Sequence, residues 1–441
     1  MRIATMEWYS VGLGLLGLLM LFIAIGLPIP FALAAASLPF LWTIQDFPTS
    51  LVSSELNLWG VWVNYILLAV PLFVLLGELI ARSQIGPRLY QAIHRGVRVH
   101  GSAAYGSIGA CAGFGAVCGS SMVGSLTIGG VALPEMMKLG YGKRLSAGTL
   151  AAGGTLSVLI PPSLILLFYG IVTDVSIGEL FIAGIIPGVL LTSFFVVVVL
   201  IWGRLDAKSI PRLEESDRAT VGYLLLALLP VAVIGLVITV AIYMGIATPT
   251  EAAAVACVLT IGIAFAIGGL TMKAFVDSVK STMRTMGYLG LLLSAAALFG
   301  FVFNYHRVPQ QFTEAFLALE LSPFLILAFV IAFYVIVGMF LEPVSMTFIT
   351  LPTLYPLVQG AGYDLIWFGI IFTITMEIAV LTPPVGLNLY VIQGLAPTQV
   401  KIQDVIMGVL PFIGALVVLI ALLLLFPELA TWLPAIMGGG R

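Results

Sequence analysis

Three predominantly apolar runs, Val11–Leu27, Leu180–Trp202 and Val405–Phe426, each reach the length that crosses a bilayer. In hydrocarbon every backbone N–H and C=O must find its partner inside the protein, which confines such a chain to helices or a closed barrel. A barrel needs segments of alternating polarity, and the sequence has none. Of 441 residues, 61% are hydrophobic and 9% charged, too little charge to cover a water-soluble fold of this size. The expectation is an all-α polytopic membrane protein whose outer surface meets the lipid bilayer. The net charge of −2 and the lack of a basic patch with interleaved aromatics argue against a nucleic-acid partner. Cys111, Cys118 and Cys257 all lie in apolar segments with no CxxC spacing, which fits packing better than a metal site or disulfide framework. Ala32-Leu33-Ala34 resembles a signal cleavage site, but the apolar stretch before it is long for a signal, and "IGLPIPFALAAA" has an internal counterpart in "MGIATPTEAAAV". Val11–Leu27 is therefore read as a permanent first span.

Within one apolar run the sequence reads "LSVLIPPSLILLFYG". Two adjacent prolines, Pro161 and Pro162, remove two helix hydrogen bonds and obstruct the preceding turn. The pair recurs at Pro383 and Pro384, 222 residues on, and other punctuation keeps that offset. Pro134 matches Pro356, and Gly140-Tyr141 matches Gly362-Tyr363; with small gaps, Gly184 and Pro187 match Gly408 and Pro411. Shared Gly and Pro spacing is not imitated by random apolar sequence. The chain thus divides into a first repeat at 1–206, a polar linker at 207–220, and a second repeat at 221–441.

In the first repeat, spans are expected near 9–27, 30–45, 59–82, 143–173 and 180–203, with an amphipathic basic stretch at 84–98 lying along the interface. The segment 102–137 carries "GFGAVCGSSMVGSLTIGG" and is read as a re-entrant hairpin; a small-residue helix-packing stripe is the alternative. The second repeat would carry its hairpin near 324–358 and its broken helix near 365–395, as 143–173 does in the first. Five crossings per repeat invert the second relative to the first, giving about ten transmembrane helices and two re-entrant hairpins. With both termini outside, fifteen of the eighteen Lys and Arg fall inside, leaving Arg2, Arg307 and Arg441 outside. Counting 102–137 as a crossing spoils that balance.

Inverted repeats with interrupted helices in matching positions point to a secondary transporter's binding site. Carbonyls freed at a break can coordinate a hard cation such as Na+, and half-helix N-termini can hold an anionic group. Two cation sites flanking a substrate site follow from one hairpin tip and one break per repeat. The first site would draw on Gly119, Ser120, Ser121, Gly154, Thr155 and Ser157; the second on Glu342, Pro343, Ser345, Thr347, Glu377 and Thr382. Ser121, Ser163, Ser345 and Asn388 are the candidates for substrate. The competing reading, that each Ser or Thr bonds its own helix carbonyl, stays open at every single position. Glu342 and Glu377 stand where a carboxylate is costly and are functional candidates on that ground. Glu251, opening a helix, reads better as a dipole partner. The histidines are His94, His100 and His306, none at mid-depth, and no HExxH occurs, so "CGSSMVG" lacks a base to make it a serine nucleophile and no enzyme activity or cofactor is expected. A channel is the closer rival, and counterflow of labelled substrate separates the two.

The stretches "GSSMVGSLTIGGVALPEMMKLGY", "GTLSVLIPPS", "GIATPTEAAAV" and "LTPPVGLNLYV" together resemble the large membrane subunit of the TRAP (tripartite ATP-independent periplasmic) transporters over nearly the whole chain. That resemblance implies an elevator-type carrier with scaffold and transport domains in the bacterial inner membrane. It implies Na+-driven uptake of small organic acids, usually carboxylates. It also implies two partners: a soluble periplasmic substrate-binding protein and a separate small membrane subunit of four helices. A proton-coupled carrier or an anion channel of similar architecture is the alternative. Ser157 and Ala379 stand where the family often has Gly, Thr375 where Asn is common, and Glu342 for a frequent Asp. By this reading Arg307 has two candidate roles, a contact with the binding protein and, the simpler one, a contact with lipid headgroups.

Overall fold

The computed structural model describes residues 7–44, 46–96, 99–211, 221–267 and 269–438, and all its regular structure is helical. Arg2, Arg98, Arg212, Arg218, Arg441 and most of the polar linker (212–220) lie outside the described residues. The first half runs α1 (Trp8–Ala24), α2 (Ile29–Ile44), α3 (Phe47–Trp62), α4 (Ala69–Ala81), α5 (Ile85–Gly96), α6 (Ser102–Cys118), α7 (Ser121–Lys138), α8 (Lys143–Leu159), α9 (Leu164–Thr173) and α10 (Ile177–Leu205). The second runs α11 (Val221–Tyr243), α12 (Pro249–Ala266), α13 (Met272–Tyr305), α14 (Val308–Leu317), α15 (Pro323–Gly338), α16 (Pro343–Gly360), α17 (Leu365–Val380), α18 (Leu387–Leu395), α19 (Ile402–Leu425) and α20 (Glu428–Gly438).

Local chemistry sets many of these boundaries. Asp46 caps α3 by accepting from the Thr49 N–H. Thr248 and Glu251 form a reciprocal capping box on α12, with the Thr248 N–H 2.8 Å from Glu251 Oε2, the dipole-partner role read from the sequence. The basic stretch expected at 84–98 is α5, which buries Ile85, Leu89 and Ala92 along one side while Arg88 and Arg95 stay exposed. The expected span 59–82 is instead two helices: α3 begins well before residue 59, and the chain bends by 55° between α3 and the segment Tyr65–Ala81. Asn64 explains the break, because its side chain accepts from the Ile66 N–H and starts a new 3-10 turn.

Among the described residues five helices are long and apolar enough to cross a bilayer, or seven when the bent pairs α3–α4 and α8–α9 each count as one span. The sequence expectation of about ten also counts α1, α2 and the α17–α18 pair, whose individual helices are shorter. Side chains such as Leu13, Leu56, Val258 and Leu425 are about 70% exposed on the exterior, as in a protein whose solvent on those faces is lipid.

The packing is reciprocal between the halves. Helix α2 packs on α13 as α12 packs on α4; α1 meets α14 as α11 meets α5. In the same way α7 packs on α18 and α16 on α9, while α8 meets α19 and α17 meets α10. Two groups result, α1–α4 with α11–α13, and α6–α10 with α15–α20; α5 and α14 touch both.

A candidate binding site where hairpin tips meet helix breaks

Two helical hairpins frame the site. Helices α6 and α7 pack together and are joined only by Gly119 and Ser120; α15 and α16 are joined by Met339–Glu342. Gly119 turns the first tip at φ +68°, and a Cβ there would lie 2.6 Å from the Pro162 carbonyl oxygen, so both conformation and space call for glycine. Each tip is tied by main chain to the loop after a proline pair: the Leu164 N–H donates to Gly119 O at 3.3 Å, and the Val385 N–H to Met339 O at 3.3 Å. Ahead of each tip a glycine seats the hairpin on its broken helix. A Cβ on Gly115 would lie 2.6 Å from Ser157 Cα, and one on Gly338 2.6 Å from Ala379 Cβ. Both Pro161-Pro162 and Pro383-Pro384 are cis, and each separates a long helix from a shorter one, α8 from α9 and α17 from α18.

The tips and breaks converge on a cavity of about 100 Å³. It is lined by Gly119, Ser120 and Ser121 of the first tip, Glu342 and Pro343 of the second, and Asn388 just after the second break, with Met122, Leu164, Val344 and Leu387 among its apolar walls. Asn388 is 1% exposed and its Nδ2 finds no acceptor among the described residues. At the second tip Glu342 Oε1 accepts from the Ser345 hydroxyl at 2.8 Å and from the Tyr288 hydroxyl of α13 at 3.0 Å.

The other sequence candidates stand behind this lining. Gly154 lies against Ser121 and Ser125, and the Ser157 hydroxyl donates across to Cys111 O at 3.5 Å. Thr155, Thr347 and Thr375 each donate to a carbonyl of their own helix, and Thr382 to Ile378 O near the end of α17, at 2.6–2.8 Å, so their hydroxyl protons are already used. Their oxygens keep lone pairs for a further partner. Ser163 caps α9 by accepting from the Leu166 N–H at 3.2 Å. Glu377 is grouped by sequence with the second tip, but its side-chain neighbour is Ser121 of the first. It is 1% exposed, and apart from the Ser121 side chain neither oxygen has a hydrogen-bond partner among the described residues. Burying an unpaired carboxylate costs on the order of several kcal/mol, so this group is out of place in a merely structural core.

Tyr288 and the apolar walls are not signalled by the sequence. Tyr288 reaches the tip from a helix 54 positions away, and one more Leu or Val in an apolar chain carries no pattern. The cavity wall thus carries the Asn388 amide and the hydroxyls of Ser120 and Ser121, with the Glu377 carboxylate behind Ser121.

Paired hairpins and paired helix breaks meeting at one small cavity define a class, the multi-pass transport proteins. Within it the sequence fixes the family: residues 16–429 match the one described as "Tripartite ATP-independent periplasmic transporter, DctM component", and the chain belongs to that family. It is 32% identical to the C4-dicarboxylate TRAP transporter large permease protein DctM of Vibrio cholerae, over 94% of this chain and 95% of that one. It is 30% identical to the sialic acid TRAP transporter large permease protein SiaM of the same organism, over 94% and 96%. The fold is similar to that of the Alcanivorax borkumensis YdaH transporter, with a TM-score of 0.62 over 96% of this chain and 98% of that one, at 13% identity. The chain is accordingly a large permease subunit, a multi-pass transport protein of the inner membrane and not an enzyme.

Proposed function

We propose that this permease drives Na+-coupled uptake of a small organic acid anion of the carboxylate class. The observation that carries the reading is the convergence of both tips and both breaks on one cavity that no Lys or Arg lines. An anionic solute there would depend on the N-terminal turns of α7 and α16 and on bound cations for its charge balance. Na+, when bound, supplies positive charge beside hydroxyl and carbonyl oxygens, with Ser120 and Ser121 at the first tip and Glu342 at the second. The relatives' printed substrates, C4-dicarboxylate and sialic acid, support the carboxylate class.

The remaining parts of the proposal follow from the same family. Substrate is handed over by a periplasmic binding protein, and a separate small membrane subunit of four helices completes the permease. The repeats 1–206 and 221–441 are inverted about the linker 207–220, with both termini periplasmic. The α6–α10 and α15–α20 group rides as an elevator along the α1–α4 and α11–α13 group, a division supported by the packing. The test is uptake into proteoliposomes containing both membrane subunits, with the binding protein added and a Na+ gradient imposed. Uptake that follows a proton gradient and ignores Na+ rejects the coupling ion. Single-channel currents without counterflow reject the carrier. Ser120→Ala combined with Thr382→Ala is expected to weaken Na+ activation with expression intact; unchanged activation removes these two residues from the ion sites.

A further inference from the structure

We propose that the cation at the first hairpin tip is held by a carboxylate from the other half of the chain, that of Glu377, and that the two cation sites therefore differ in kind. This rests on the Na+-coupled reading above. Glu377 lies on α17, yet the polar side chain beside it belongs to Ser121, the first residue of α7 and part of the cavity wall. It is 1% exposed with no hydrogen-bond partner besides Ser121, and among the described residues no Lys, Arg or His pairs with it. A carboxylate so placed needs a proton or a positive partner, because the interior screens it poorly. A cation at the first tip has the complementary need. Its other available ligands, the hydroxyls of Ser120 and Ser121 and the carbonyls at the break, are all neutral. Joined, the two make a neutral unit, which is what a group travelling through hydrocarbon requires. Glu342 is in a different position: it is partly exposed and already accepts from Tyr288 and Ser345, so its charge is supported before any ion arrives. The first site thus depends on a carboxylate that the second half lends, whereas the second has its own.

The test is thermal unfolding of the purified permease, with both membrane subunits, as NaCl replaces choline chloride at constant ionic strength. Wild type should gain melting temperature with Na+. In Glu377→Gln the melting temperature in choline should equal or exceed that of wild type, and the Na+ midpoint should rise at least tenfold; Glu342→Gln should shift it less. A full Na+ response in Glu377→Gln, with the wild-type midpoint, overturns the proposal, since the glutamine imitates a protonated, purely structural acid. That outcome leaves Na+ coupling standing, whereas a wild type without any Na+ response rejects both. If Glu377→Gln does not fold, Glu377→Asp carries the test: withdrawing the carboxylate by one methylene should move the midpoint severalfold, and an unchanged midpoint overturns the assignment.

Discussion

At the scale of the residue, the first tip turns on Gly119. Its φ of +68° lies where a side chain is strained, and a Cβ would press on the Pro162 carbonyl. Gly119→Ala should therefore cost about 1–3 kcal/mol, read as a lower melting temperature in detergent; an unchanged value would show that the tip relaxes freely. Asn388 offers a complementary case, with a buried amide that finds no acceptor among the described residues. Asn388→Leu should leave stability unchanged or raise it, since a bare buried donor is removed, while raising the KM for uptake; a loss of stability with unaltered KM would make Asn388 structural. The carboxylates show how far residue types can be read from sequence. Glu342 and Glu377 both stand out in an apolar chain, but only the folded arrangement shows that the first is hydrogen-bonded at its own tip and that the second lies against Ser121 of the opposite tip.

At the scale of the element, signals were legible where a backbone rule is enforced by particular residues. The proline pairs mark breaks that the structure places between α8 and α9 and between α17 and α18, and the Thr248–Glu251 box announces the start of α12. Thr248→Ala should cost about 1 kcal/mol, seen as a lower melting temperature with transport otherwise normal; no change would mean the box is redundant in the membrane. The α3 helix was not legible, because "FPTSLVSSELNLW" mixes polar and apolar residues without the uniform hydropathy that marks a span. Seating of the hairpins was equally hidden. Nothing in the sequence says that Gly115 must meet Ser157 or Gly338 meet Ala379, since the members of each pair are more than forty positions apart and joined only by the fold. Gly115→Val and Gly338→Val should each lift a hairpin off its broken helix, costing about 1–3 kcal/mol or more and abolishing uptake; retained uptake in either would show that the seat is not needed.

At the scale of the whole molecule, the all-helical membrane fold follows from hydropathy, but which helices touch does not. The reciprocal packing of α2 with α13 and α4 with α12 puts elements from both halves into each of the two groups, so neither half is a separable body. Motion between the groups has a direct check. Ala297 and Pro352 line one cavity of about 330 Å³ from opposite groups, on α13 and α16. A short bifunctional thiol reagent joining Ala297→Cys to Pro352→Cys should stop uptake. The same reagent across Trp62→Cys and Ser294→Cys, whose parent side chains hydrogen-bond at 3.1 Å within one group, should spare it. Equal inhibition by both would count against sliding groups. The main-chain bonds from Leu164 to Gly119 and from Val385 to Met339 bear on the same motion. Because they join peptide groups, no side-chain replacement short of proline deletes them, and each tip shares the fate of the loop it is fastened to. If the two groups slide as proposed, the cavity travels as a fixed container whose walls keep their spacing on the way, so that what changes between the two faces of the membrane is its address.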